Sequence, residues 1–403
     1  MRSLRKASAM SSPSRYERRG VSADKSEVHA AIAGLDKGLY PRAFCKVLPD
    51  LVGGDAAFVN LMHADTAGTK VVLAYLYWRE TGDLSVWRGV VQDALVMNLD
   101  DLAAVGCTND FVLSSTIGRN KHLIPGEVLK VLIEAQAAFA ERLTPYGIRL
   151  HFSGGETADV GDVVRTLDVG FTAFARWPKE RLVVNAIRPG DVIVGWASFG
   201  QCVYEEQYNS GIGSNGLTSA RHDLLNTHYS AAYPESFDPA TPGDLVYTGP
   251  YRLTDTVEAE GVEHSVGKLL LSPTRTYLPP LKELLDALPL EQVHGIIHCT
   301  GGGQKKVAKF IEGVRVIKDN LFVPPPVFRL IKEHSGTSVE EMYEVFNMGH
   351  RLELYLSEQA VDKALAVAER FGIGAKVIGR VEEAKKAEVC IVPPPFSPAD
   401  KRD

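Results

Sequence analysis

A carboxylate, two hydroxyls, a glycine and an amine crowd into six residues, Asp65-Thr66-Ala67-Gly68-Thr69-Lys70, between two apolar runs. A glycine that lets a ligand approach the backbone, N–H groups at a helix start and a lysine are the ingredients of a phosphate seat. The order is not that of a Walker loop, GxxxxGK[ST]: one glycine is present and the lysine follows the threonine. Asp65 beside a phosphate requires a bridging cation, and Mg²⁺ serves with one or two carboxylates. Alone, the stretch reads equally well as an Asp-capped helix with a solvated lysine.

"QDALVMNLDDLAAVG" sharpens the question. On a helix, Asp93 and Asp100 share a face, with Asp101 within reach of it. Leu95, Val96, Met97, Leu99 and Leu102 leave little room for a solvent face. Acidic groups in such a setting are costly unless paired or bound to metal, which favours a metal or nucleotide role for at least one of them. "HFSGGETAD", 151–159, sets paired glycines at a strand end, where a sharp turn would present Glu156 and Asp159. "GIGSNGLTSARHD", 211–223, carries Ser214 and Asn215 into a helix, either as caps or toward a ligand. In "HCTGGGQKK", 298–306, three glycines between strand and helix make a bare loop whose N–H groups suit a phosphate, with Lys305 and Lys306 behind. His298 reads either as a proton carrier or as a satisfied core histidine.

These residues need a scaffold of alternating elements. Strands are expected over 56–64, 110–117, 149–155 and 165–177, and helices over 71–80, 87–106 and 125–147. The turn-rich "IRPGD" at 187–191 puts a domain boundary near 185. Beyond it, strands are expected at 192–198, 293–300, 351–357 and 375–381, and helices at 304–312 and 360–371. Residues 229–246, proline-rich and aperiodic, read as a surface insertion. The domain expectation is thus a disordered leader over 1–15, an N-terminal domain over 16–185, a C-terminal α/β domain over 186–392 and a flexible tail over 393–403.

At 403 residues, two domains are the default. A net charge of -6 argues against non-specific nucleic-acid binding. The five dispersed cysteines form no CxxC pair, which suits a reducing, cytoplasmic setting. No run approaches the roughly 18 apolar residues of a membrane span. The start, "MRSLRKASAMSSPSR", shares its basic, Ser-rich composition with transit peptides but lacks an amphipathic stripe.

In this order, the stretches resemble the aminoimidazole ribonucleotide (AIR) synthetase family. "RYERRGVSA", "ADTAGTKVVLA", "QDALVMNLDDLAAVGC", "GGETAD", "GSNGLTSAR", "SPTRTY", "HCTGGG" and "EMYEVFNMG" are similar to its motifs, across roughly 16–384. The resemblance implies a two-domain α/β fold in which N-terminal domains of two subunits join strands into a barrel-like homodimer core. It implies an ATP-dependent, Mg²⁺-dependent cyclo-ligase that closes the imidazole ring of a ribotide in purine biosynthesis. By the same likeness Asp65, Thr66, Gly68, Thr69, Lys70, Asp93, Asp101, Gly155 and Glu156 would meet ATP, with Asp65, Asp93 and Asp101 on the metal. Ser214, Asn215, Gly216, Thr300, Gly301, Gly302 and Gly303 would meet the ribotide, and Lys70, Asn215 and His298 would be catalytic. The chain departs from the pattern where Thr66 replaces a glycine, Gly213 a histidine after the inserted "QCVYEEQYNSGI", and Asp100 an asparagine, and where Glu17-Arg18-Arg19 stand in place of the usual lysine. Selenophosphate synthetase, thiamine-phosphate kinase, a hydrogenase-maturation dehydratase and a non-catalytic nucleotide-binding paralogue are the alternatives.

Overall fold

Alternation of buried and exposed residues along Phe111–Arg119 marks a strand with one face on a core. It belongs to a five-stranded sheet. In this computed structural model, which describes residues 15–21, 26–259 and 261–396, the strands are β1 Val47–Pro49, β2 Phe58–Thr66, β3 Phe111–Arg119, β4 Leu150–Asp159 and β5 Leu167–Pro178. Their order is β1-β2-β5-β3-β4. Only β3 and β4 run parallel, and the Gly126–Leu143 helix supplies the crossover that a parallel pair needs. The Val86–Ala103 helix lies across β2 and β5 and is buried nearly all round, its aspartates included. Among the described residues nothing covers the opposite sheet face, and Met62 and Val112 are exposed there.

A second, six-stranded sheet follows from residue 192: β6 Val192–Ala197, β9 Val293–His298, β10 Val314–Lys318, β11 His350–Leu356, β12 Ala375–Glu383 and β13 Glu388–Ile391. Its order is β13-β10-β12-β6-β11-β9, with the Glu358–Arg370 helix packed on it. The hairpin of β7 Thr256–Ala259 and β8 Val262–Ser265 stands apart.

Three expectations change. The glycine pair does not turn the chain: β4 runs on to Asp159. Gly154 takes φ +96° where the register with β3 shifts, so it absorbs a bulge instead. A Cβ at Gly155 would lie 2.2 Å from the Ser115 carbonyl oxygen, so a bare residue is needed there. The helix expected over 304–312 is the short 3₁₀ turn Gly303–Lys309, its side chains held by ties to other segments: Gln304 to the Asn347 and His350 carbonyls, Lys306 to Thr300. Residues 229–246 lie only partly on the surface: residues 238–240 and 243–244 are exposed, but Tyr229, Ser236, Leu245 and Val246 are buried, and Tyr229 donates to Glu80 at 2.6 Å.

The first residues described also cross the boundary expected at 185. Arg19 is buried against the second half, bonded to Ser219 and the Leu245 carbonyl and 2.8 Å from Asp223. The leader over 1–15, Arg15 excepted, and the tail from 397 lie outside the described residues.

Candidate functional site

The acidic helix meets its partners in the segment 272–277, "SPTRTY", which runs along its buried face. Asp93 accepts from the Thr274 backbone N–H at 2.7 Å and hydroxyl at 2.5 Å. On the same oxygen it takes the Lys70 ammonium at 2.8 Å, and Lys70 also donates to the Ser272 carbonyl at 2.6 Å. Two turns further, Asp100 accepts from the Thr276 hydroxyl at 2.6 Å and the Tyr277 N–H at 2.9 Å. Each carboxylate therefore holds a backbone donor of the other half of the chain. Burial lowers the Lys70 amine and Asp93 opposes it. Burial pushes the Asp100 carboxyl up to about 7, against the nearby Arg351 charge and both hydrogen bonds.

Asp101 continues the bridge between the halves. One oxygen lies 2.7 Å from Nδ1 of His298, at the end of β9, and the other 3.3 Å from Nε2 of His63 on β2. Burial pushes its carboxyl up, but Lys306 and the two imidazoles hold it well below the usual range. The Nε of Arg351 donates to His298 Nε2 at 2.9 Å. An arginine Nε cannot accept, so His298 must be the neutral tautomer with its proton on Nδ1, given to Asp101. Its value agrees: burial, with Arg351 and Lys306 adding to it, lowers the imidazole to about 4. With both nitrogens engaged and no exposed surface, His298 is placed to hold Arg351. His63 is the reverse case. Burial lowers it, yet Asp101 and Asn98 raise it overall, and both its nitrogens face acceptors.

The phosphate-loop candidates sit at the edge of this core. Asp65 and Thr66 end β2 rather than opening a loop, and Asp65 is exposed. Asp65 accepts the Thr66 N–H at 2.8 Å, and Thr66 accepts the Gly68 N–H at 3.2 Å. Thr69 precedes the Lys70–Thr81 helix, and its hydroxyl lies 2.5 Å from that of Thr218 in the second half. Lys70 turns inward to Asp93, away from the loop. Gly155 and Glu156 share sheet rows with Asp65 and Thr66, through Phe171–Ser115 and Gly170–Thr116, but stand three strand spacings off, about 14 Å.

In the second half, Ser214 lies 3.3 Å from the Thr274 hydroxyl, and Asn215 is half-buried. Gly216 opens the Leu217–Leu224 helix at φ +79°, where a Cβ would collide with Phe346. Thr300 receives Lys306 at 2.6 Å, Gly301 and Gly302 are half-buried, and a Cβ at Gly303 would sit 2.4 Å from the Tyr343 carbonyl. Lys306 also lies 4.6 Å above the Phe44 ring. Sequence reasoning missed Arg351, Thr274, Thr276 and His63. For the threonines the "SPTRTY" match was the available signal; Arg351, within an apolar strand, carried none.

The carboxylates do not form a magnesium cage. Asp93 is already paired with an ammonium, Asp101 with two imidazoles, and Asp65 is exposed at the end of β2. Among the described residues no group of three or more His, Cys, Asp or Glu suits a metal ion.

Comparison with known proteins agrees across the chain. The pattern of the AIR synthase related protein N-terminal domain matches residues 53–177, and that of the C-terminal domain matches 188–391. The phosphoribosylformylglycinamidine cyclo-ligase of Methanothermobacter thermautotrophicus is 29% identical over 377 residues, covering 91% of this chain and 94% of the relative. That of Methanosarcina mazei is 26% identical, covering 92% and 88%. The crystal structure of tt0281 from Thermus thermophilus shares the fold, with a TM-score of 0.51 at 15% identity over 92% of this chain and 98% of that one. With both domain patterns matched in order and carried by one two-sheet fold, the chain belongs to the AIR synthase related family.

Proposed function

We propose that the protein is an ATP-dependent cyclo-ligase of purine biosynthesis that converts formylglycinamidine ribonucleotide to aminoimidazole ribonucleotide, ADP and phosphate. In this reaction the formamide oxygen attacks the γ-phosphorus of ATP and ADP leaves. The amidine nitrogen then attacks the activated carbon, the C–O bond breaks, phosphate departs with that oxygen, and the ring nitrogen loses a proton. Making a poor leaving group into a phosphate ester is the core of the chemistry, and it asks for positioning and charge neutralisation rather than a protein nucleophile.

The observation that carries this reading is the 2.7 Å contact of Asp101 with His298. It joins the acidic helix beside the 65–70 loop to the strand that runs into the glycine seat at 301–303. Thr66, Gly68 and Thr69 at the loop would receive nucleotide phosphates. Ser214, Asn215, Gly216 and Thr300–Gly303 would receive the ribotide. Mg²⁺ is expected to arrive on the nucleotide's phosphates, since such ions seldom occupy all-protein cages. Lys70, Asp93 and Asp101 then act as the framework that fixes the two seats relative to each other. The protein is assigned to the cytoplasm as a homodimer with no nucleic-acid or membrane partner. No helix among the described residues is long and apolar enough to cross a membrane.

The test is incubation of purified protein with ATP, Mg²⁺ and the ribotide, following aminoimidazole ribonucleotide, ADP and phosphate together. All three are expected in equal amounts. Nucleotide binding without any of them would favour a non-catalytic paralogue.

A further inference from the structure

Arg351 is the cation of this core with an unspent hydrogen bond. It is 1% exposed, and three contacts fix it: Nε on His298, Nη2 on the Arg275 carbonyl, and the guanidinium 5.3 Å above the Tyr277 ring, with His298 braced in turn by Asp101. Its Nη1 has no partner. Leaving a charged donor unpaired in a buried place is costly, so such an atom calls for an acceptor that arrives from elsewhere.

Nη1 faces Gly213. A Cβ there would lie 3.5 Å from Nη1 and 3.7 Å from the Asn347 amide nitrogen, ordinary contact distances, so the missing side chain leaves room beside the guanidinium. The niche is lined by Asn347, itself bonded to Ser198 and the Gly211 carbonyl. Gly211, Gly213 and Gly216 all take positive φ, at +82°, +68° and +79°. Such backbone angles are open to glycine without steric cost. Ser214 and Asn215, the proposed ribotide contacts, follow directly.

We propose that Arg351 Nη1 receives an oxyanion of the ribotide in the niche left open at Gly213, with Asp101 and His298 as positioning residues behind it. This rests on the proposed reaction. Two oxygens of the ribotide share the required chemistry: its phosphate, and the formamide oxygen on which charge develops.

Inorganic phosphate is the first probe. It is expected to raise the melting temperature of the wild-type protein but not that of Arg351→Met. Gly213→Asn gives a second route should Arg351→Met fail to fold. Asparagine tolerates positive φ, and its neutral oxygen would occupy Nη1 with Arg351 still in place. Phosphate protection should vanish there too. Steady-state kinetics with the ribotide then separate the sources. A KM for the ribotide raised tenfold or more at constant kcat identifies the phosphate, and a kcat reduced tenfold or more at constant KM the formamide oxygen. Arg351→Lys, which keeps the charge, should recover part of either loss. Phosphate protection equal in all variants, or absent from the wild type, overturns the niche as an oxyanion site, as does turnover of Arg351→Met within twofold of wild type. A wild type that is protected by phosphate yet makes no aminoimidazole ribonucleotide would instead refute the reaction.

Discussion

Asp100 carries the clearest consequence of placement at the level of a single residue. Its carboxyl is raised to about 7 by burial, so over the interval from the unfolded value near 3.8 to about 7 the native state binds the extra proton. Stability from this group is therefore full below the unfolded value and is lost as pH rises through the folded one. The whole shift corresponds to about 4 kcal/mol. Asp100→Asn removes the titration while its amide can still accept from the Tyr277 N–H and donate to the Thr276 hydroxyl. Urea midpoints should show the variant gaining on wild type steadily from pH 5 to about pH 7 and then levelling off toward pH 8. A constant difference across that range would mean the carboxyl does not titrate there. Part of this was legible in the sequence. Three aspartates among Leu95, Val96, Met97, Leu99 and Leu102 had to be partnered, and they are. Which partners they take was not legible, because Thr274, Thr276 and His298 lie 176 to 197 residues away along the chain and no local pattern encodes a tertiary hydrogen bond.

Secondary elements were read best where periodicity was strong and worst where glycine had two uses. The 87–106 and 125–147 patterns become the helices Val86–Ala103 and Gly126–Leu143. "SGG" reads as a turn from its dihedral freedom alone. Its structural use is instead a bulge and a close approach to Ser115, which only the neighbouring strand reveals. The triple glycine 301–303 misleads in a related way: its freedom was visible, but the tertiary ties that leave the following residues as a 3₁₀ turn were not. Two alanine substitutions separate these uses by sign. Gly155→Ala drives a Cβ into backbone and should cost about 1–3 kcal/mol, as overpacking does. Gly126→Ala, at a helix start with nothing within 4 Å, should stabilise by about 0.4–1 kcal/mol through the unfolded chain. Denaturant titration of both proteins measures this. Equal effects would mean that β4 does not press on β3 as described.

For the whole molecule, the covered and uncovered faces of the first sheet predict how copies would assemble. One face carries the Val86–Ala103 helix, while the other presents a row formed by Met62, Phe174 and Val112 across β2, β5 and β3. Met62 is 59% and Val112 41% exposed in the isolated chain. An apolar row across three neighbouring strands, with no helix over it among the described residues, is a surface that association would bury. A second copy meeting the same row face to face gives a closed two-fold pair in which the self-complementary patch is used up. The 403-residue chain should therefore scatter light in solution as a particle of about twice 43.9 kDa. Lysines at both Met62 and Val112 place like charges against each other across the two-fold axis and should return the mass to that of one chain. Ile133→Lys makes the control, because Ile133 is equally exposed, at 56%, but sits on the outer helix Gly126–Leu143. It should leave the mass unchanged. A wild type that runs as a monomer, or a double-lysine protein that still runs as a dimer, would place the subunit contact elsewhere on the molecule.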